Sequence, residues 1–591
     1  LIEGAIKPQW ALLGATFIAI CSFLPLYLAP ASVAEIVKPL FVVLAVSLGL
    51  SWILALCQTT TFGNFILKEA VPGGAMKDPY DTKLYHKFEK FLTLLIKRRF
   101  VTLTTVFVTL VLSLVIMAVM PQSFFPKMNK PYFRADLVFP EGFSIHAVDQ
   151  DVMKVEDYLK NHEKVKSYSV TLGGTPLRYY LASSSFGPKS NYANVMVETK
   201  DPEDAAEVEQ QFYEHMTQNF PNIITRSALF ALSPVPEAAI EIGFIGENPD
   251  TLTALVERAK KIARQCDMVT DIRSNWGDKV PVWKPMFSQQ KGLRLGITRQ
   301  QVANSFRTAT NGLPLGEYRE GDVSLPILLK DEDVEKMNLN DVKSVPVFST
   351  KGNSVKVEQV IDNFALGYDY NVVRRFNRER CMMMQCEPKR GANTMAAFKQ
   401  VLTAVQEQMQ LPEGYKMKYF GEQETQDVSN AALAKNIPLT FLLIYVVLLF
   451  LFPSNYRKPV LIMLMLPLVF IGVVWGLLLF GKSLDFFAIL GLLGLIGMNI
   501  KNAIVLVDEI GLQLKDGKGA VPAVVEATKT RIVPVTMASG TTILGMLPLL
   551  GDAMFAGMAA TIMGGLFVST VLTIFVLPVT YCIFFKIRAD R

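Results

Sequence analysis

The residue with the most demanding chemistry in this sequence is Lys501, in the run Gly491-Leu-Leu-Gly494-Leu-Ile-Gly497-Met-Asn499-Ile-Lys501-Asn502-Ala-Ile-Val-Leu-Val-Asp508. Read as a helix, the run places Lys501 about four turns past Asp485 and about two before Asp508. That is too deep for its stem to lift the ammonium easily to an interface. A charge there costs about 2.5–3.5 kcal/mol on insertion scales, so by default it faces a partner and marks an ion path. Gly497 and Gly494 precede it on nearly the same face, where small residues admit a neighbouring helix. Asp508 and Glu509 lie roughly 10 Å further along the axis, and Asp485 and Asp552 sit at the outer ends of their spans. No carboxylate in the sequence shares the depth of Lys501, and its acidic partner is expected upstream of Leu1. The bland alternative is a structural lysine held by backbone carbonyls and by Asn499 or Asn502. The next apolar run carries Thr536, Ser539, Thr541 and Thr542, with Arg531 at its mouth. Such hydroxyls bond back to their own helix or pass protons through water.

Other motifs carry less. Gly476 to Ser483 matches the spacing of a phosphate-binding loop, but its middle is the end of an apolar run and not a strand-to-helix turn. We read it as coincidence. Four histidines, His86, His146, His162 and His215, form no paired metal spacing. The Met382-Met383-Met384 run between Cys381 and Cys386 offers soft ligands. On a strand at most two of these methionines share a face, which favours apolar filling. Six cysteines in 591 residues make no disulfide framework.

These residues sit in a chain that is 51% apolar and only 19% charged, a balance unlike that of a soluble enzyme. The net charge of +6 implies no nucleic-acid partner. Counting about 20 apolar residues per crossing gives eight spans, near 10–29, 33–57, 100–120, 436–452, 458–480, 484–511, 532–551 and 558–585. Lys83, Lys87, Lys90, Lys97, Arg98, Arg99, Arg457, Lys458, Lys515, Lys518, Lys529, Lys586 and Arg588 then fall on one side, which marks the cytoplasm. The opposite short loops hold only Lys38 and Lys482. Between 80 and 99, Leu84, Phe88, Phe91, Leu92 and Leu95 recur at helical spacing among lysines, as in a helix lying on the inner membrane surface. Residues 121–430 lie outside and repeat strand-helix-strand, predicting ferredoxin-like βαβ subdomains. The Pro- and Gly-interrupted stretch 278–367 reads as an insertion.

Gly491 to Asp508, Arg531-Ile-Val-Pro534-Val-Thr-Met-Ala-Ser539, Gly545-Met-Leu-Pro548 and Pro121-Gln-Ser-Phe-Phe125-Pro126 together resemble the C-terminal part of the resistance-nodulation-division (RND) transporter superfamily. The likeness is greatest to its hydrophobe/amphiphile multidrug efflux branch, with this chain as spans five to twelve. The resemblance implies an α-helical integral membrane protein of the bacterial inner membrane with a large periplasmic α+β region. It divides the chain into two membrane helices (1–60), a cytoplasmic linker (61–99), a third helix (100–120), porter subdomains (121–277 and 368–430), a docking subdomain (278–367) and five membrane helices (431–591). It further implies a homotrimer in the lipid bilayer, an adaptor protein, an outer-membrane channel, and export of small amphiphiles driven by the proton gradient with no cofactor.

Lys501 and Arg531 match the family's relay lysine and arginine, and the family pairs that lysine with two aspartates in the fourth span. Where relatives carry a relay threonine this chain has Ala538, so Ser539 or Thr536 is expected to substitute, beside Asn499 and Asn502. The stretch from Gly173 to Asn191 corresponds to a substrate-pocket loop, which makes Tyr179, Tyr180, Phe186 and, further on, Phe230 the pocket candidates. The competing functions are heavy-metal cation efflux by the related branch and a non-transporting relative that assists lipid or protein export.

Overall fold

The computed structural model describes residues 9–28, 32–66, 80, 82–123, 129–177, 188–230, 237–331, 341–349, 352–453 and 455–587. The chain begins with α1 (Gln9–Ser22), α2 (Leu24–Leu28), α3 (Ser32–Ile66), α4 (Lys83–Lys97) and α5 (Arg99–Val119). It ends with α13 (Gly421–Leu451), α14 (Arg457–Leu464), α15 (Val469–Leu479), α16 (Phe486–Lys515), α17 (Ala520–Met546) and α18 (Ala556–Phe584). Among the described residues these supply eight helical segments long and apolar enough to cross a membrane.

Several boundaries differ from the hydropathy count: α3 runs on to Ile66, α17 starts at Ala520, and two further differences have a plain cause. Helix α13 starts at Gly421, some 15 residues before the expected apolar start, because the polar stretch ahead of Asn436 contains no breaker and continues the same helix outward. The span near 458–480 is interrupted between α14 and α15, where Pro467 has no N–H to donate. Glycines set the closest helix approaches. A Cβ on Gly476 would lie 2.7 Å from the Ala560 carbonyl, and one on Gly564 would lie 2.4 Å from the Gly476 Cα. Gly476 is thus a packing residue inside α15, and the phosphate-loop spacing is indeed fortuitous.

Helix α4 corrects the reading of a helix resting its apolar stripe on lipid. Phe88, Leu92 and Ile96 are buried in the membrane core together with Val524, Ile574 and Leu577, and the Phe88 ring lies 5.6 Å from that of Phe575. Leu84 and Phe91 of the same stripe stay 72% and 50% exposed, so only part of it faces protein.

The outer region contains β1 (Tyr132–Val138), α6 (Ile145–Lys160), β2 (Val165–Leu172), β3 (Tyr192–Thr199), α7 (Ala205–Asn219) and β4 (Ile224–Leu229). Its antiparallel sheet has the order β2-β3-β1-β4. Val148, Val152 and Val155 of α6 and Val208, Phe212 and Met216 of α7 meet Phe133, Ala135 and Leu137 in one core. Their three- and four-residue spacing against the strand's period of two is what forms this layer. Next come β5 (Ile240–Ile245), α8 (Pro249–Ala263) and β6 (Val269–Ser274).

The compact unit Trp276–Arg374 intervenes. It comprises β7 (Lys279–Phe287), α9 (Gln289–Leu295), α10 (Arg299–Thr308), the hairpin β8 (Leu313–Glu320) and β9 (Val323–Leu329), α11 (Asp341–Ser344), β10 (Pro346–Phe348), β11 (Ser354–Lys356) and β12 (Ile361–Tyr370). Val302, Val347, Val357 and Val360 are central to its core.

The chain then returns through β13 (Arg375–Phe376), β14 (Glu379–Pro388), α12 (Thr394–Gln408) and β15 (Lys416–Phe420). Strand β5 lies between β14 and β15, and β6 pairs with β14. Setting the insertion aside, β5-α8-β6 and β14-α12-β15 repeat the connectivity and strand order of the first layer, the split βαβ arrangement. Cys381, Met382, Met384 and Cys386 are all buried, so β14 is a core strand on both faces and Met382 and Met384 fill it. The exit of α5 is tied to both regions: the Ser123 and Ser483 hydroxyls are 2.8 Å apart, and Asn393, the N-cap of α12, donates to the Gln122 carbonyl at 2.8 Å.

Candidate functional site

Helices α16, α17 and α18 pack side by side and carry the relay candidates. Asp485 caps α16 by accepting from the Ala488 N–H at 2.7 Å. Four turns on, Lys501 occupies mid-helix, but its side chain is exposed on the surface of the described chain. Helix α16 is apolar nearly all round, so its sequence does not select which sector faces its neighbours in the described chain. Gly494 faces the Phe23 ring, and a Cβ on Gly497 would stand 2.8 Å from the Ala19 Cα, so α1 takes the glycine face as the small residues predict. Asn499 and Asn502, 3% and 9% exposed, turn away from Lys501. At about 100° per residue Asn499 is on the far side of the helix. Among the described residues Lys501 has no hydrogen bond or ion pair.

Arg531 differs. Its Nη2 and Nε lie 2.5 and 3.1 Å from Glu509 Oε2, while Gln513 Nε2 donates to Glu509 Oε1 at 2.9 Å. Glu509 is buried, so this pair ties the C-terminal part of α16 to the N-terminal half of α17. The sequence showed both residues. What hid the pairing is that 22 positions separate them across a turn between two helices.

The hydroxyl row splits in two. Thr536, Thr541 and Thr542 bond to carbonyls of their own helix and lie towards the outside of α17. Ser539 is buried, its oxygen 2.6 Å from that of Thr570 on α18, and Thr570 also reaches the Leu566 carbonyl at 2.7 Å. Thr561, Ser569, Thr573 and Thr580 are buried along α18 as well. Sequence reasoning passed over these hydroxyls. Their signal was the recurrence of Ser and Thr at helical spacing in an otherwise apolar run.

Of the pocket candidates, Tyr179, Tyr180 and Phe186 lie outside the described residues, as do Phe124 to Pro126 of the exit motif and Arg588. Phe230, just past β4, stacks on Tyr132 with ring centres 6.1 Å apart.

A second cluster joins the two outer layers. Arg390 binds both oxygens of the buried Glu209 and reaches Ser227 Oγ at 2.8 Å, while its guanidinium stands 4.3 Å from the Tyr213 ring centre. Arg273 pairs with Glu387 at 3.3 Å, and Arg226 approaches the same carboxylate at 3.7 Å. Tyr213 donates to Asp271 at 3.3 Å. Burial pushes the Asp271 carboxyl up and depresses Arg273. Nearby Glu241 accepts from Gln385 at 2.8 Å and from the Ala238 N–H at 3.1 Å, yet burial outweighs both bonds and pushes its carboxyl up to about 7.

The multidrug export protein AcrF of Escherichia coli is 23% identical over 602 residues, covering 97% of this chain and 57% of AcrF. The nickel and cobalt resistance protein CnrA of Cupriavidus metallidurans is 27% identical over 360 residues, 59% of this chain and 33% of CnrA. A crystal structure of a heavy metal efflux pump superposes with a TM-score of 0.78 at 17% identity, covering 99% of this chain and 59% of that one. The chain thus spans little more than half the length of AcrF and of that efflux pump, and its match to CnrA a third of CnrA. The AcrB/AcrD/AcrF family of RND transporters matches residues 2–585, and this chain belongs to that family.

Proposed function

We propose that the chain forms the larger part of an inner-membrane pump that exports hydrophobic and amphiphilic compounds in exchange for protons. The observation that carries the reading is Lys501, a cation at the middle of a 30-residue apolar helix, held by nothing else in the described chain and turned outward from the packed α1-α16-α18 contacts. A lysine so placed is free to exchange partners when a neighbouring carboxylate gains or loses a proton, as the family's lysine does with its aspartates. Arg531 and Glu509 then anchor the cytoplasmic mouth. Of the candidate hydroxyls and amides for the route, Ser539 paired with Thr570 is the buried step, while Asn499, Asn502 and Thr536 lie on other faces of their helices. In this reading the outer layers are periplasmic porter subdomains, Trp276–Arg374 is the docking subdomain, and the complex is a homotrimer joined to an adaptor and an outer-membrane channel. Tyr179, Tyr180, Phe186 and Phe230 contact the amphiphile.

Heavy-metal cation export is the second reading, supported by the likeness to CnrA. Against it stands the burial of Met382, Met384, Cys381 and Cys386 in the β14 core, where they cannot line a cleft. Accumulation of a fluorescent cationic dye, in cells whose own efflux pumps are deleted and which express the full protein, tests the proposal. The Lys501→Ala variant is expected to accumulate dye like the empty cells. Accumulation equal to wild type removes Lys501 from coupling, and nickel or cobalt tolerance without any dye phenotype favours the second reading.

A further inference from the structure

Residues 83–99 carry six cations, Lys83, Lys87, Lys90, Lys97, Arg98 and Arg99, against a single acid, Glu89. Their apolar face is already spent on protein through Phe88, Leu92 and Ile96. The neighbouring sector is a separate stripe. Leu84, Lys87, Phe91, Leu94 and Arg98 follow one another at three- and four-residue steps, which on a helix is one line. Leu84, Phe91 and Leu94 on it are 72%, 50% and 46% exposed. Among the described residues Lys83, Lys87, Lys90, Lys97 and Arg98 have no carboxylate partner.

From Arg98 the chain turns directly into α5, whose Phe100 and Val101 are exposed too. The same open surface of α5 runs on past Thr104, Thr105 and Val108. Cations that alternate with exposed apolar side chains, and that continue into the exposed face of a membrane-spanning helix, match one molecule in both of its parts. The phosphate of a lipid pairs with the cations, and its acyl chain lies along that face.

We propose that this stripe of α4 and the first turns of α5 form a binding site for an anionic phospholipid of the inner leaflet. The proposal rests on the reading of the Lys- and Arg-rich side as cytoplasmic. The phosphodiester sits between Lys87 and Arg98, where the arginine presents two parallel donors and the lysine a point charge. Leu84, Phe91 and Leu94 enter the interface, and the acyl chain passes Phe100 and Val101. An acidic protein segment would satisfy the cations but leave those apolar residues in water, so charge and hydrophobicity together select lipid. A bound lipid at this position also wedges α4 against α18, where Phe91 touches the Phe575 ring at 5.4 Å.

The test uses the full chain in detergent, incubated with equimolar phosphatidylglycerol and phosphatidylcholine, with retained lipid counted by native mass spectrometry. Each cation near a membrane surface contributes about a fivefold preference for anionic lipid, so wild type is expected to favour phosphatidylglycerol by at least about tenfold. The Lys87→Gln/Arg98→Gln variant should bring the two lipids to near parity with an unchanged melting midpoint in detergent. The charge-conserving Lys87→Arg/Arg98→Lys variant should keep the preference, and Lys515→Gln/Lys518→Gln should leave it untouched. Equal retention of both lipids by wild type overturns the site. So does a preference that survives Lys87→Gln/Arg98→Gln, or one that falls as far in Lys515→Gln/Lys518→Gln. None of these readouts depends on transport, so the relay reading and the lipid site fail separately.

Discussion

Charge is handled in opposite ways by the outer layers and by the membrane helices. Between the outer layers Arg226, Arg273 and Arg390 meet Glu387 and Glu209, and each anion is approached from at least two elements. In the membrane helices Arg531 has one partner, Glu509, and Lys501 stands on an outward face of α16. A buried charge that serves architecture must be compensated from several directions, because removing one partner leaves the other stranded in a low dielectric. A charge that serves turnover needs a geometry that permits exchange. The two regions therefore predict different costs for the same kind of substitution.

The largest stability effect is expected at the outer junction. Arg390→Met leaves Glu209 buried without its bidentate partner and should cost about 3 kcal/mol, read as a lowered melting midpoint of the purified protein. Arg531→Met should cost less, about 2 kcal/mol, because Arg531 engages only one oxygen of Glu509 and Gln513 still donates to the other. If Arg531→Met proves the more damaging, the contrast between regions is wrong.

Glu241 tests the outer cluster by pH. Its carboxyl lies at about 7 in the fold, against about 4.3 in an unfolded chain. Between these values the folded state binds more protons, so stability falls as pH rises from about 4.5 to 7. Glu241→Gln should flatten that slope, worth about 1–3 kcal/mol over the window. A slope that persists in Glu241→Gln assigns the pH dependence to other groups.

Ser539→Ala removes one hydroxyl from a buried pair and should cost about 1 kcal/mol. The smallest change in stability is expected for Lys501→Met, under about 0.5 kcal/mol, since the side chain is exposed and unpaired in the described chain. Export should nevertheless collapse in that variant. A Lys501→Met protein that melts well below wild type would show that the lysine is architectural.

Much of the fold is legible from residue order. The strand-helix-strand repeat read across 121–430 is present as β1-α6-β2, β3-α7-β4, β5-α8-β6 and β14-α12-β15, since the period of two and the period of 3.6 alternate plainly along it. The eight apolar runs are equally plain. Less legible is the helix that carries polar residues without a breaker, as the outward half of α13 does, because hydropathy counts composition and not backbone continuity. The candidate site was legible as a set of residue types. Lys501 stood out because a cation in an apolar run is costly, and Glu509 and Arg531 were each visible. Their contact was not, because nothing in local spacing relates two helices across a turn.

The sequence alone determined that this chain has helices apolar enough to cross a membrane with paired strand-helix layers between them, and that Lys501 is its anomalous residue, because hydropathy, periodicity and charge are local properties. Only the tertiary structure decided that Arg531 closes on Glu509, that Ser539 meets Thr570, and that Phe88, Leu92 and Ile96 of α4 pack against protein. The reason is geometric. An apolar helix can present any sector to its neighbours, and which sector it presents is settled by the packing of glycines and side chains on other helices.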